Sequence, residues 1–231
     1  MNQQRHLLAT GTSVVAEDEQ DGTLLGFGAS WQRDEHWFLA SLFVTETAQG
    51  RGVGNALLDA VWGEAEWRRT ITDAIQPVSN ALYGSRGLIA ATPVLTFTGH
   101  PQNVFSDLRP ADADLVAIDV AAYGFGRAID HAYWERYATR TTWPDAYAYR
   151  FPGGDIGPVA GRDARAAARA LEAELARADG SVRLRLPGSS RALVQIAFSA
   201  GLRLEPVPGL LLLSERVQPP TALAIGGYPL F

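Results

Sequence analysis

Apolar positions along this chain follow two periods. Between Thr23 and Val44 they come in short dense runs, "TLLGFGASW" and "HWFLASLFV", around the polar turn "QRDE". The second run is apolar almost throughout, as a strand buried on both faces is. From Val53 the period lengthens. Val53, Leu57, Val61 and Ala65 recur every four residues with Leu58 and Trp62 beside them, which is one helix face. Upstream, "HLLATG" reads as the last turn of a helix closed by Gly11, and "TSVVAED" as a short strand before the turn "EQDG". Downstream, "TITDAI" is a strand, "SNALYGSR" a short helix stopped by Gly87, and "TPVLTFTG" a closing strand.

The pattern then breaks. "HPQNVFSDLRPADAD" is polar, holds two prolines and reads as a linker, which divides the chain into residues 1–100 and 101–231. Helical stretches follow over 112–122 and 127–138, then a strand "DAYAYRF" and a turn "PGGD". Residues 163–178 form an alanine-rich helix with Asp163 as its N-cap and Gly180 just past its end. "SVRLRL" is a strand, "SSRALVQIAFSAG" a helix and "LLLLSE" a strand; the tail "TALAIGGYPLF" reads as a last strand with a hairpin end. Both halves thus run strand, helix, strand, helix, strand, which predicts α/β layering. A shift of 114 residues lays Leu57 on Leu171, Val61 on Leu175 and Gly87 on Gly201. The same shift lays Gly50, Gly52 and Gly54 on Ala164, Ala166 and Ala168.

Composition narrows the chemistry. The chain has 231 residues, a formal net charge of −5 and no basic cluster, which argues against nucleic acid or an anionic membrane as partner. There is no cysteine, so disulfides, thiolate metal sites and a Cys nucleophile are excluded. All twenty basic residues are arginine, which removes a Walker P-loop, a Schiff-base lysine and a pyridoxal phosphate site. No apolar run approaches the ~20 residues of a membrane span, and no signal-peptide layout is present; a cytoplasmic protein is the expectation. His6, His36, His100 and His131 are scattered without metal spacing.

Three glycines at the start of a helix call for a reason, because glycine is ~1 kcal/mol worse than alanine inside one. Either the backbone must turn there, or something must come close to it. The second copy enters its helix on alanines, so the helix alone does not demand glycine. Bare amides at a helix N-terminus, with the dipole behind them, form a pyrophosphate cradle that needs no lysine. A Rossmann fingerprint would require glycine at Asn55.

What remains is Gln49-Gly50-Arg51-Gly52-Val53-Gly54 after the strand "LASLFV". This resembles motif A of the GNAT superfamily of N-acetyltransferases, Gln/Arg-x-x-Gly-x-Gly/Ala, which binds the pyrophosphate of coenzyme A. "QPVSNALYGSRGL" resembles the family's later segment, in which an Asn contacts the pantetheine arm and a Tyr lies near the sulfur; by position these are Asn80 and Tyr83. Residues 107–214 resemble, more weakly, the degenerate second half of tandem GNAT proteins. The implied fold is two GNAT-like mixed-sheet halves, the first lacking the usual N-terminal strand and helices. Those helices shape the acceptor site in the family, so either the chain is short at its start, or the second half or a second copy of the chain, as in a homodimer, covers the gap.

The resemblance implies acetyl-CoA as co-substrate, no metal, and direct acetyl transfer to an amine of a small molecule or a protein. The alternatives are a non-catalytic acyl-CoA sensor or scaffold, and an interaction domain with an empty cradle. By the same likeness the cofactor contacts are Gln49, Gly50, Arg51, Gly52, Val53, Gly54, Asn80 and the main chain of Phe43 and Val44. Tyr83 is the expected acid, since a phenol of pKa near ~10 suits a departing thiolate. Ala197 stands at the matching place in the second half, which implies one cofactor site per chain. Glu46, the nearest carboxylate after the central strand, is the candidate base, beside ordered water and the terminal carboxylate at Phe231. Trp31, Trp37, Tyr123, Tyr133, Trp134, Trp143, Tyr147 and Tyr149 either line an acceptor pocket between the halves or pack its core.

Overall fold

A computed structural model describes residues 2–231. Its first half contains α1 (Asn2–Thr10), β1 (Thr12–Glu17), β2 (Leu24–Arg33), β3 (His36–Val44), a 3-10 turn (Glu46–Ala48), α2 (Val53–Val61), β4 (Trp67–Asp73), α3 (Pro77–Gly84) and β5 (Ile89–Gly99). The second half contains α4 (Leu115–Tyr123), α5 (Ala128–Trp134), β6 (Thr139–Trp143), β7 (Ala146–Arg150), β8 (Asp155–Gly161), α6 (Ala164–Ala176), β9 (Val182–Pro187) and α7 (Arg191–Ser199). It ends with β10 (Arg203–Leu204), β11 (Gly209–Leu213), β12 (Leu223–Ala224) and a 3-10 turn (Tyr228–Leu230). The shift of 114 carries β4 onto residues 181–187 and α3 onto 191–198, the places of β9 and α7.

All strands join one mixed sheet, ten of them in the order β1-β2-β3-β4-β11-β5-β9-β8-β7-β6, with β10 paired to β5 and β12 to β8 off this path. The halves exchange their closing strands: β11 lies between β4 and β5, antiparallel to both, while β5 pairs antiparallel with β9. Neither half's sheet is complete without a strand of the other. Residues 100–114 carry no regular structure, but they are fastened. The Gln102 amide donates to Ala200 O and the Ala111 amide to Thr142 O, both at 2.9 Å.

Apolar side chains sort into three cores. One, with Leu39, Leu58, Val61, Tyr83 and Leu212, lies under α2 and α3; another, with Phe97, Leu171, Leu184 and Leu193, lies under α6 and α7. The third covers the opposite face. It joins Leu7 of α1 to Ile118, Tyr123 and Trp134 of α4 and α5 and to Leu230 and Phe231 of the tail. Buried charge in this shared core is largely paired, the exception being Arg69, which among the described residues donates only to Tyr123 O at 3.1 Å. His131 lies 2.8 Å from Tyr149 Oη and 3.0 Å from Asp119 Oδ2, and Asp130 accepts from Arg33 at 3.0 Å. The fully buried Arg127 donates to the main-chain oxygens of Leu230 and Phe231, which holds the tail down.

Several expectations need correction. β6 and β8 are strands that the pattern hid: "TRTTW" is too polar, and "DIGPVAG" carries the glycine and proline that argue against a strand. Pro158 is tolerated because the pairing of β8 with β7 is interrupted there. The tail is not a hairpin end; Gly226, Gly227 and Pro229 break it after a two-residue strand and a 3-10 turn follows. α4 starts at Leu115, where Asp114 caps it by accepting from the Ala117 amide at 3.1 Å, and α5 ends at Trp134. Of the two readings of the eight aromatics named above, core packing holds: all are buried. Among the described residues, no helix is long and apolar enough to cross a membrane, and no group of His, Cys, Asp or Glu is placed to hold a metal ion.

Candidate active site

β3 and β4 run parallel and are paired only from His36–Trp67 to Leu39–Thr70. The last tie is a side-chain bond, in which Thr70 Oγ1 donates to Leu39 O at 3.1 Å. At this point β3 takes in an extra residue, Ala40, against β2. Such a bulge bends a strand and re-aims its side chains. The two strands part beyond it, β3 staying with β2 and β4 with β11. A cleft of about 740 Å³ opens between them.

The glycine turn stands at one lip. Gly50 and Gly52 adopt φ of +74° and +86°, a conformation open to glycine at no steric penalty, so the turn itself requires these two. Gly54 is different. It lies in the first turn of α2 without a positive φ, and a Cβ there would meet only Leu82 Cδ2 and Val44 Cγ2, each at an ordinary 3.7 Å. Neither backbone nor packing demands glycine at that place, and Gly54 lines the cleft. Gly52 offers no side-chain cap, and the first intrahelical bond of α2 runs from the Ala56 amide to Gly52 O. The amides of Val53, Gly54 and Asn55 therefore have no intrahelical acceptor.

The second half offers a contrast. There Asp163 Oδ1 accepts from the Ala166 amide at 2.7 Å and caps α6 itself. β8 and β9 also part after two pairs, but Leu223 and Ala224 pair with β8 across the gap and Ile225 bridges to Arg185. That opening is filled by the chain's own tail.

The cleft is lined by Phe43, Val44, Gln49, Gly50, Gly52, Gly54 and Tyr83 of the expected residues. Gln49 Nε2 donates to Val44 O at 3.3 Å. Arg51 is exposed beside the turn and Val53 half-buried at the start of α2. Asn80 lies on α3 just behind the lining residues. Its Nδ2 donates to Gln76 O at 2.9 Å and Ala74 O at 3.3 Å, which leaves Oδ1 buried with no donor among the described residues. Tyr83 is buried at the foot of the cleft, and burial pushes its phenol up to about 12. Glu46 is exposed on the 3-10 turn, outside the lining residues, because the turn buries Ala48 and points its first residue to solvent. The carboxylate that does line the cleft is Asp73, at the end of β4.

Tyr228, Pro229 and Gln4 also line it, so the second half's tail and α1 wall the first half's cleft. Nothing in the local pattern of "GGYPLF" pointed there. The one sequence signal for Asp73 is a charge closing an otherwise uncharged strand run, "TITD".

Residues 9–87 match the profile of the acetyltransferase (GNAT) domain family. Among solved structures, the chain is similar to a protein described as an acetyltransferase from Pyrococcus horikoshii, with a TM-score of 0.75 and 16% identity over 99% of this chain and 83% of that one. It is also similar to a GCN5-related N-acetyltransferase from Sphaerobacter thermophilus, with a TM-score of 0.57 and 14% identity over 87% of this chain and 80% of that one. A third is Eis1 from Mycobacterium abscessus, with a TM-score of 0.54 and 19% identity over 91% of this chain and 65% of that one. At these identities the likeness is one of fold. No curated protein matches the chain.

Proposed function

We propose that the chain transfers an acetyl group from acetyl-CoA directly to a primary amine, with one working cofactor site, in the first half. The observation that carries this reading is Gly54, a cleft-lining glycine that neither its backbone nor its packing requires, beside three free amides at a helix N-terminus. The residues present fit coenzyme A. The amides of Val53, Gly54 and Asn55 would hold its diphosphate, as the positive end of α2 favours. The edge of β3 at Phe43 and Val44, freed where β4 departs, would pair with the pantetheine amides, and Asn80 Oδ1 is an acceptor that lacks a donor. When bound, acetyl-CoA supplies an acyl group on a thioester, whose leaving atom is a sulfur.

Tyr83 keeps its proton across the neutral range, since its phenol stands near 12. It therefore donates a hydrogen bond toward the sulfur and surrenders the proton only as thiolate charge develops there. Burial around it excludes water from that end of the cleft. Glu46 has no place in this scheme; the amine loses its proton through water in the open part of the cleft. The second half is read as a degenerate copy of the first. Its helix N-terminus is self-capped by Asp163 and its strand gap is filled by residues 223–225.

The test is thiol release from acetyl-CoA against a set of primary amines. Amine-dependent release in the wild type, lost in a Gly52→Val, Gly54→Val double variant that still folds, supports transfer. Binding of acetyl-CoA without release against any amine would instead identify a non-catalytic acyl-CoA-binding protein.

A further inference from the structure

The cleft passes through the sheet, and its two ends differ in chemistry. The glycine turn, Leu82 and Tyr83 lie on the face of α2 and α3. Asp73 lies on the other face: it follows Arg69 and Ile71 at alternate positions of β4, and Arg69 stands over Phe125 and Phe231, on the side of α1 and the tail. Phe43 shares that face. It is paired in register with Phe27 and stacked on it at 5.1 Å, and Phe27 alternates with Trp31, which is buried in the shared core. Tyr228 closes the group, its hydroxyl resting on Gly209, the residue paired with Asp73.

Asp73, exposed at the end of β4, is the one charged side chain among the described residues that line the cleft, and its carboxylate has no hydrogen bond or ion pair among them. No basic side chain lines the cleft. Phe43, 61% exposed, offers the face of an aromatic ring at the same mouth. A single unpaired carboxylate beside exposed aromatic surface complements one ammonium on an apolar body. It does not complement an amino acid, whose carboxylate would meet Asp73 with no cation to offset it, nor a polyamine, whose further charges would find no partner.

Resting on the acetyl-transfer reading, we propose that the acceptor is a monoamine carried on an apolar or aromatic group and bearing no carboxylate or phosphate. Asp73 binds its ammonium, and Phe43 with Phe27 binds its body. Asp73 is here a binding residue that sets specificity; the proton that leaves the amine goes to water.

Calorimetric titration tests this with three probes, 2-phenylethylamine, 2-phenylethanol and phenylalanine, added to protein with and without saturating CoA. 2-Phenylethylamine should bind at least about tenfold tighter than either of the others. Asp73→Asn should erase its advantage over 2-phenylethanol with CoA affinity unchanged, and Phe43→Ser should weaken 2-phenylethylamine binding about fivefold. In the transfer assay Asp73→Asn should raise KM far more than it lowers kcat. Equal binding of phenylalanine and 2-phenylethylamine, no amine binding at all, or an Asp73→Asn variant that keeps the wild-type preference would each overturn the proposal. Failure of CoA to bind while the amine selectivity persists would refute the acetyl-transfer reading and leave this one standing.

Discussion

Thr70 donates its hydroxyl proton to the carbonyl oxygen of Leu39 at 3.1 Å, and this bond marks the place where two parallel strands stop being a sheet and become the walls of a cleft. Thr70 is buried, so its hydroxyl has no ready exchange with water. Replacing it by valine keeps the shape and leaves Leu39 O without that donor. Thr70→Val should destabilise the fold by about 1 to 2 kcal/mol in urea unfolding. An unchanged midpoint would show that the bond is not a stabilising tie.

The three glycines should separate by the reason each is there. Gly52 has a φ of +86°, so Gly52→Ala places a side chain in a disfavoured backbone conformation and should lower stability by about 1 kcal/mol or more. Gly54 is helical with room for a methyl group, so Gly54→Ala should leave stability unchanged or raise it by up to about 1 kcal/mol. Thermal or urea unfolding of the two variants checks this. Equal losses would mean that Gly54, too, is a structural glycine.

Tyr83→Phe removes the only hydroxyl assigned to the sulfur end while keeping the packed ring. Transfer should slow by about 10²-fold in kcat, with CoA affinity within about twofold of wild type. Fluorescence-detected thiol release and calorimetry give the two numbers. A wild-type kcat would take Tyr83 out of the chemistry.

His36 should govern stability between neutral pH and pH 4. It is buried against Gly124, 4.4 Å from Trp67 and 4.7 Å from Phe125, and burial, helped by Arg69, brings its pKa from 6.5 down to about 4. Between these values the unfolded chain takes up a proton that the folded chain refuses, so stability falls as the pH drops through this window, by roughly 3 kcal/mol at most. Asp130 acts lower on the scale. Burial would raise it, but the hydrogen bond from His6 and the nearby Arg127 and Arg33 outweigh that and hold it well below 3.8. Its stabilisation is full above that value and is lost only in stronger acid. Unfolding free energies of wild type and His36→Phe between pH 4 and 7 check the first window. The variant's curve should be flatter, and parallel curves would contradict the assignment.

The sequence shows the first half well and the joining of the halves poorly, for physical reasons. Helix α2 and strands β2 and β3 are legible because each buries residues at its own period. The glycine turn is legible because glycines cluster where the chain must turn with positive φ before a helix, and only Gly54, inside α2, carries the helical cost of glycine. The exchange of β5 and β11 is not, since "GLLLL" is equally apolar whichever strands flank it. Asp73 went unnoticed because its significance lies in having no partner, which only the folded arrangement reveals. The tail at Tyr228 and Pro229 reaches the cleft through contacts far apart in the chain, such as the bond from Trp31 Nε1 to Pro229 O, 198 residues away, and no local pattern records them. Glu46 is the carboxylate nearest the central strand in sequence, but the 3-10 turn leaves it exposed.

The account stands on bare amides at the start of α2 holding a diphosphate, and calorimetric titration of CoA into wild type and Gly54→Val is the direct test. Wild type should bind CoA with a Kd in the micromolar range, about −8 kcal/mol, and pantetheine, which lacks the diphosphate, at least a hundredfold more weakly. Gly54→Val should lose about a hundredfold in CoA affinity at an unchanged Tm. A folded Gly54→Val variant that binds CoA as wild type does would contradict it.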